Sequence, residues 1–334
     1  MHVYLRDIAY YLPEKALFNK EISTNFLEWS EEKIFSKLGI NERRIAGENE
    51  YASDLAIKAA EKLFEQGACS KTDIDFLLYC TQSPDYLLPT TACVLQDKLG
   101  LRTNIGALDF NLGCSGYVYG LSLAKGLIAS GMAKNVLFIT AETYSKFIHP
   151  QDKSNLAIFG DAASASIISA QRGLWEISEF IFGTDGRGAE NLMVKNGGVR
   201  HPEYSGQNEF TDEGQWKKND NNLYMDGAAI FQFTTSSVPG LIKETVALNN
   251  ITLQDADWFV FHQANKFMLD FIRKKIGIPP EKFFTHMENC GNTVSSSIPI
   301  ALREGLLSGQ IKAGQKIILA GFGVGYSWAG TLLK

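Results

Sequence analysis

Cysteine and histidine are both scarce in this chain, with five of each among 334 residues. Cys69, Cys80, Cys93, Cys114 and Cys290 are too few and too scattered for the disulfide framework of a small secreted scaffold, and no two stand in CxxC spacing. A reducing, intracellular setting is expected. No histidine and carboxylate share HExxH spacing, so a metal hydrolase is not indicated and no metal site is expected. Long basic blocks are missing too: 32 Lys and Arg stand against 37 Asp and Glu, a formal net charge of -5, which gives a nucleic-acid partner little electrostatic support. No apolar run approaches the ~20 residues that span a bilayer. The start, Met1 to Asp7, lacks the basic segment and apolar run of a signal peptide, so a soluble cytoplasmic protein without membrane insertion is expected. Gly321-Phe322-Gly323-Val324-Gly325 lacks the GxGxxG order and the following helix of a dinucleotide fold. It reads instead as a close-packed backbone turn able to aim an amide at an oxyanion.

What is present is a core-forming composition, 45% hydrophobic, in a repeated order. Phe76-Leu77-Leu78-Tyr79-Cys80 and Trp258-Phe259-Val260-Phe261 read as short buried strands, each ending in a polar segment, Thr81-Gln82-Ser83-Pro84 and His262-Gln263-Ala264-Asn265. Each is followed by a helical segment that closes near a glycine, Gly100 or Gly277. Further on, helical stretches from Tyr117 to Ser130 and from Ile298 to Ser308 lead into strands at Val136 to Thr140 and Ile317 to Ala320. The pattern predicts a duplicated α/β fold with largely parallel or mixed sheets, residues 1–173 and 174–334 forming halves about a pseudo-dyad. Residues 183–222, rich in Gly, Asn, Asp and Glu without periodicity, read as an extended loop or small excursion.

Chemistry concentrates at three places. Cys114 lies in Asn111-Leu112-Gly113-Cys114-Ser115-Gly116, ahead of a long helix-like stretch. Flanking glycines permit a tight elbow, and helix N-terminal amides beside the sulfur favour thiolate, so this residue stands apart from the other four cysteines, which read as small buried hydrophobes. His262 stands where an apolar strand ends; it suits a hydrogen bond to a thioester carbonyl or proton acceptance from a thiol, and equally a capped strand end. His2, His149, His201 and His286 read as surface or loop residues. The Asn292 amide, after Gly291, suits donation to a carbonyl or enolate oxygen, although from these residues alone a cap or turn is the favoured reading.

With these residues assembled, the chain resembles 3-oxoacyl-(acyl-carrier-protein) synthase III, in the condensing-enzyme branch of the thiolase-like superfamily. The resemblance covers nearly the whole length and rests on Pro84 to Pro89, the Cys114 segment, Phe159-Gly160-Asp161-Ala162, His262-Gln263-Ala264-Asn265, Gly291-Asn292-Thr293 and Gly321-Phe322-Gly323. It implies a layered α-β-α-β-α core, a homodimer, and decarboxylative condensation of an acyl-thioester, commonly acyl-CoA, with malonyl-acyl-carrier-protein. The CoA thioester enters as substrate, and neither metal nor redox cofactor is implied. Cys114 would carry the acyl group, His262 and Asn292 would steady the enolate, and the amides of Cys114 and Gly325 would hold the other oxyanion.

Departures from the family pattern concern substrates. Leu88 stands where Phe is frequent and where the side chain reaches the partner subunit's acyl pocket. Phe267 replaces a frequent carrier-docking Arg, leaving Lys266, Arg273, Lys274 and Lys275 as an expected basic patch. Asn41 falls where Arg is common, Lys153 takes the place of an Arg associated with CoA, and Trp29 remains a candidate for stacking on adenine. A carrier-bound starter is therefore retained beside acyl-CoA. The alternatives are a specialised homologue that transfers acyl groups to an alcohol or amine, and a non-catalytic acyl-binding or assembly subunit. Thiolase is disfavoured because its second catalytic cysteine would belong near Gly321 to Gly325, which contains none.

Overall fold

The computed structural model describes residues 1–334. Ten strands form its main sheet: β1 (Tyr4–Tyr11), β2 (Phe76–Cys80), β3 (Gly106–Phe110), β4 (Asn135–Glu142), β5 (Ala162–Ser169), β6 (Trp175–Thr184), β7 (Trp258–Phe261), β8 (Phe283–Phe284), β9 (Ile317–Gly323) and β10 (Ser327–Leu333). Their order is β8-β7-β9-β10-β6-β1-β5-β4-β2-β3. The order is two copies of one five-strand pattern, back to back. β2 runs parallel to β3 and β4, as β7 does to β8 and β9; β4, β5 and β1 then alternate antiparallel, as do β9, β10 and β6. Only two residue pairs, Tyr4 with Glu176 and Leu5 with Trp175, join the copies between β1 and β6.

The principal helices are α1 (Ala52–Glu65), α2 (Thr91–Lys98), α3 (Gly116–Ala129), α4 (Gly227–Leu248), α5 (Lys266–Ile276) and α6 (Ser297–Leu307). Tyr117, Val118 and Leu121 of α3 and Ile298, Ala301 and Leu302 of α6 share one core cluster with strands of both copies, so these two helices form a middle layer. That position explains why α3 carries apolar residues nearly all round. α1 and α2 cover the outer face of the first copy and α4 and α5 that of the second, completing five layers. Amphipathic α5 buries Met268, Leu269 and Ile272; Asn265 caps its start by accepting from the Met268 amide at 2.9 Å, and Gly277, at φ 84°, closes it in the left-handed conformation.

One expectation gains detail and another changes. Residues 183–222 hold a 3-10 turn at Gly186–Asn191 and a ribbon pairing Glu209–Phe210 with Trp216–Lys218. Their polar composition serves the excursion itself: Asn196 donates to Asn221 at 2.8 Å, and Asn219 to Asn208 at 3.0 Å, in place of an apolar core. The glycine-rich segment is also not one turn, because Gly321 and Gly323 belong to β9 and only the residues after it form the hairpin to β10. The 22-residue α4, which carries Pro239 internally, has no counterpart in the sequence reading. Its signal was the helical spacing of buried Ile230, Phe233, Val238, Leu241 and Ile242, masked by Thr, Ser and Pro.

Candidate active site

Cys114 lies two residues before α3, in the elbow that β3 feeds. The elbow closes through the Gly116 amide donating to the Gly113 carbonyl at 2.8 Å. From the other copy, Gly323 of β9 passes so close that a Cβ there would lie 2.8 Å from Cys114 Cβ and 2.9 Å from its Sγ. Glycine at 323 is thus dictated by the nucleophile. His262 extends from β7, and its backbone amide donates to the Ala320 carbonyl of β9 at 2.8 Å. Asn292 is held by the first copy's chain: its amide donates to the Ile158 carbonyl at 2.9 Å, and its carbonyl accepts from the Gly160 amide at 3.0 Å.

A turn after Asn292 fixes both side chains. The Val294 amide donates to Asn292 Oδ1 at 2.9 Å, which turns the Asn292 NH2 away from that turn and to within 3.5 Å of His262 Nε2. Val294 takes φ 52°, a strained conformation for a β-branched residue that persists only where the surroundings impose it. Ser297 Oγ donates to the Val294 carbonyl at 2.9 Å and lies 2.8 Å from His262 Nδ1. Because the hydroxyl has one proton and uses it on Val294, it accepts from Nδ1–H. His262 therefore turns its Nε2 lone pair toward the cavity, where the Asn292 NH2 is its neighbour at 3.5 Å.

Cys114, His262 and Asn292 line one cavity of about 110 Å³, closed by apolar residues including Phe159, Leu192, Ile230, Met268 and Phe322. All three polar residues are buried, and burial governs their protonation. The Cys114 thiol is pushed up to about 12, first by desolvation and then by the neighbouring Glu142 carboxyl. This corrects the expectation of a preformed thiolate: the amides at the elbow do pull the other way, but desolvation wins. The amides that reach the sulfur are those of Cys114 and Val324. Gly325, expected to supply the second oxyanion amide, is not among them. Burial also lowers His262 to about 3, keeping the imidazole neutral.

Glu142 escaped the sequence reading. Fully buried at the end of β4, it accepts from the Gln82 amide at 3.0 Å, Ser83 Oγ at 3.1 Å and Ser295 Oγ at 3.0 Å, and burial raises it to about 8. A carboxyl at the polar end of a buried strand was its only signal. It ties the segment after β2 to the Asn292 turn.

The substrate candidates fare unevenly. Lys153 lines a separate cleft of about 560 Å³ with Trp216, Lys217 and Tyr224, which reaches the cavity wall through Met225. Its ammonium is engaged by Glu28 at 2.6 Å and Gln215 at 3.3 Å. Trp29 packs instead against the apolar core, and Asn41 donates to Glu288 at 2.7 Å, so neither faces that cleft. His149, expected as an ordinary loop residue, stacks on Trp216 with centroids 4.7 Å apart and planes 5° apart. Leu88 is 83% exposed, on a surface loop away from its own Cys114 cavity. Of the basic patch on α5, Arg273 donates to the Ile278 carbonyl at 2.9 Å and Lys275 to the Thr235 carbonyl at 2.9 Å, leaving Lys266 and Lys274 as its free charges.

Residues 108–186 match the 3-oxoacyl-[acyl-carrier-protein] synthase III family model, and residues 246–334 match the model of that enzyme's C-terminal part. Over 324 residues the chain is 38% identical to the beta-ketoacyl-[acyl-carrier-protein] synthase III of Clostridium perfringens strain ATCC 13124, covering 97% of this chain and 96% of the relative. This chain belongs to the 3-oxoacyl-(acyl-carrier-protein) synthase III family. A Chlamydia caviae synthase III is 37% identical over 325 residues, 97% of this chain and 94% of the relative. A synthase III crystal structure at 2.1 Å shares 50% identity and superposes with a TM-score of 0.97, covering 100% of this chain and 99% of that one. The priming beta-ketosynthase of the R1128 polyketide pathway superposes at 0.87 with 27% identity, over 99% of this chain and 95% of that one. The fold is thus the duplicated thiolase-like fold, and the protein is a condensing enzyme of the synthase III type. No helix is long and apolar enough to cross a membrane.

Proposed function

We propose that this synthase III condenses an acyl-thioester starter, with acyl-CoA as the leading donor, with malonyl-acyl-carrier-protein. The observation that carries the reading is the meeting of Cys114, His262 and Asn292 in one buried cavity, each delivered by a different element. Cys114 Sγ attacks the starter carbonyl as its proton passes to His262 Nε2; the amides of Cys114 and Val324 hold the oxyanion, and the donor thiol departs with the proton. In the second stage the bond to the malonyl carboxylate breaks and carbon dioxide leaves. Its electron pair becomes an enolate, to which Asn292 Nδ2 donates. The enolate carbon bonds to the acyl carbonyl, the C–S bond breaks, and one proton from solvent restores the Cys114 thiol. No redox step occurs, and the chemistry calls on no cofactor.

We also take residues 1–173 and 174–334 as the two duplicated halves, and infer cytoplasmic residence from the malonyl-carrier partner. A homodimer would use β3, an edge strand with Leu108 47% exposed, beside Tyr86, Leu87 and Leu88, which are 61%, 80% and 83% exposed. Leu88 would then meet the partner's acyl pocket. The donor's nucleotide is assigned to the cleft with Lys153, Trp216 and Lys217.

Intact-protein mass spectrometry after incubation with acyl-CoAs and acyl-carrier thioesters tests the function, with Cys114→Ala as control and a malonyl-carrier chase. An adduct absent from the variant and discharged as a 3-oxoacyl product supports condensation. Discharge onto an alcohol or amine without carbon dioxide release would replace it with simple acyl transfer, and absence of any Cys114-dependent adduct would defeat it.

A further inference from the structure

The Val324 amide reaches Cys114 Sγ from the other copy of the fold. An oxyanion donor is effective when it is fixed before the charge develops, because an amide that must swing into place spends its gain on reorganisation. The sheet does not fix Val324. It opens the three-residue tip Val324-Gly325-Tyr326 between β9 and β10, and the last residues paired across the two strands are Gly323 and Ser327. Some other contact has to hold it.

Two buried hydroxyls supply that contact. Ser327 Oγ donates to the Val324 carbonyl at 2.9 Å, and Ser115 Oγ, on the residue after Cys114, lies 2.6 Å from Ser327 Oγ. Each hydroxyl has a single proton, and Ser327 spends its own on Val324, so Ser115 donates to Ser327. The chain of bonds therefore runs from Ser115 through Ser327 to Val324 with both protons placed. Ser115 is 1% exposed and Ser327 3%, so water competes for neither group. The two serines are 212 residues apart, and their bond joins the copies where β9 crosses the elbow most closely: a Cβ at Gly321 would lie 2.8 Å from Ser115 Cα. Two alanines would fill this space without the cost of burying hydroxyls, so packing alone does not call for the pair.

We propose that Ser115 and Ser327 are positioning residues for starter transfer, which act through the Val324 carbonyl to hold the Val324 amide against the acyl carbonyl oxygen at Cys114. This deepens the condensation reading and rests on its acylation step. The nucleophile and this oxyanion donor come from different copies, and the hydroxyl chain sets their separation through a residue covalently joined to Cys114. A shift of the elbow then carries the amide with it.

Single-turnover acylation of Cys114, followed by intact-protein mass spectrometry, tests the pair in Ser115→Ala, Ser327→Ala and the double variant. Outright removal of an oxyanion donor costs about 100- to 1,000-fold, so loosening one is expected to slow acylation at saturating donor by roughly 10- to 100-fold in Ser327→Ala. The donor concentration giving half the maximal rate should stay within about twofold, because the loss falls on the transition state. Ser115→Ala keeps the Ser327 bond to Val324 and should lose less, about three- to tenfold, and the double variant should lose no more than Ser327→Ala, as expected for links of one chain. Alkylation of Cys114 by iodoacetamide forms no oxyanion and should fall by less than about threefold. Acylation by Ser327→Ala within about twofold of wild type overturns the proposal, as do equal losses of acylation and alkylation, which would place the effect on the thiol itself. Should Ser327→Ala not fold, Ser115→Ala decides: slowed acylation with alkylation retained supports the pair, and an unchanged rate overturns it. A wild type that is acylated but releases no 3-oxoacyl product with malonyl-carrier defeats the condensation reading alone, and the same rates still decide the two serines.

Discussion

Ser297 Oγ lies 2.8 Å from His262 Nδ1, with its own proton committed to the Val294 carbonyl at 2.9 Å. The contact selects the Nδ1–H tautomer and leaves Nε2 as acceptor. Ser297→Ala is expected to lower the acylation rate of Cys114 by about 10- to 100-fold, the lower range of general-base contributions, with little change in donor KM. Single-turnover acylation followed by mass spectrometry checks this; an unchanged rate would mean that the imidazole is oriented without Ser297.

The Cys114 thiol, raised to about 12 by burial and Glu142, is neutral at physiological pH in the free enzyme. Iodoacetamide alkylation should therefore rise about tenfold per pH unit between roughly pH 7 and 9, tracking the small thiolate fraction. A plateau below about pH 8 would reveal a preformed thiolate.

Glu142 links pH to stability. Its folded value of about 8 lies above its ordinary value of 4.5, so the folded state holds the proton more tightly than the unfolded chain. The associated stability is fully present below 4.5 and is lost as pH rises through about 8. Glu142→Gln keeps an acceptor for the Gln82 amide and removes the ionisation. Its melting temperature should fall less than the wild type's between about pH 5 and 8.5. Parallel melting curves would refute the role.

Gly323→Ala places a methyl group 2.8 Å from Cys114 Cβ and 2.9 Å from Sγ. A folded enzyme is expected, destabilised by about 1–3 kcal/mol through overpacking, with acylation lost far beyond what stability explains. Thermal melting and adduct formation measured together separate the two effects.

The cleft assignment predicts that Trp216→Ala raises the KM for an acyl-CoA donor by roughly 2- to 12-fold, the value of one aromatic contact, and leaves the KM for an acyl-pantetheine donor unchanged. Equal effects on both donors would remove the nucleotide from this cleft.

The sequence alone determined the repeated order of strands and helices, because buried strands declare themselves as short apolar runs and their polar ends sit next to Cys114 and His262. It also carried the Cys114, His262 and Asn292 assignments, through local glycine-bounded segments and the family resemblance they support. Tertiary structure decided everything that depends on what lies across from a residue. Burial is a property of the whole packed core, so it turned an expected thiolate at Cys114 into a thiol and raised Glu142. The amides facing the sulfur proved to be those of Cys114 and Val324, which only the packing of the second copy against the elbow decides. Trp29, half-buried, packs against the edge of the core while Trp216, from an excursion without periodicity, reached the cleft, because contacts between segments far apart in the chain leave no period to read.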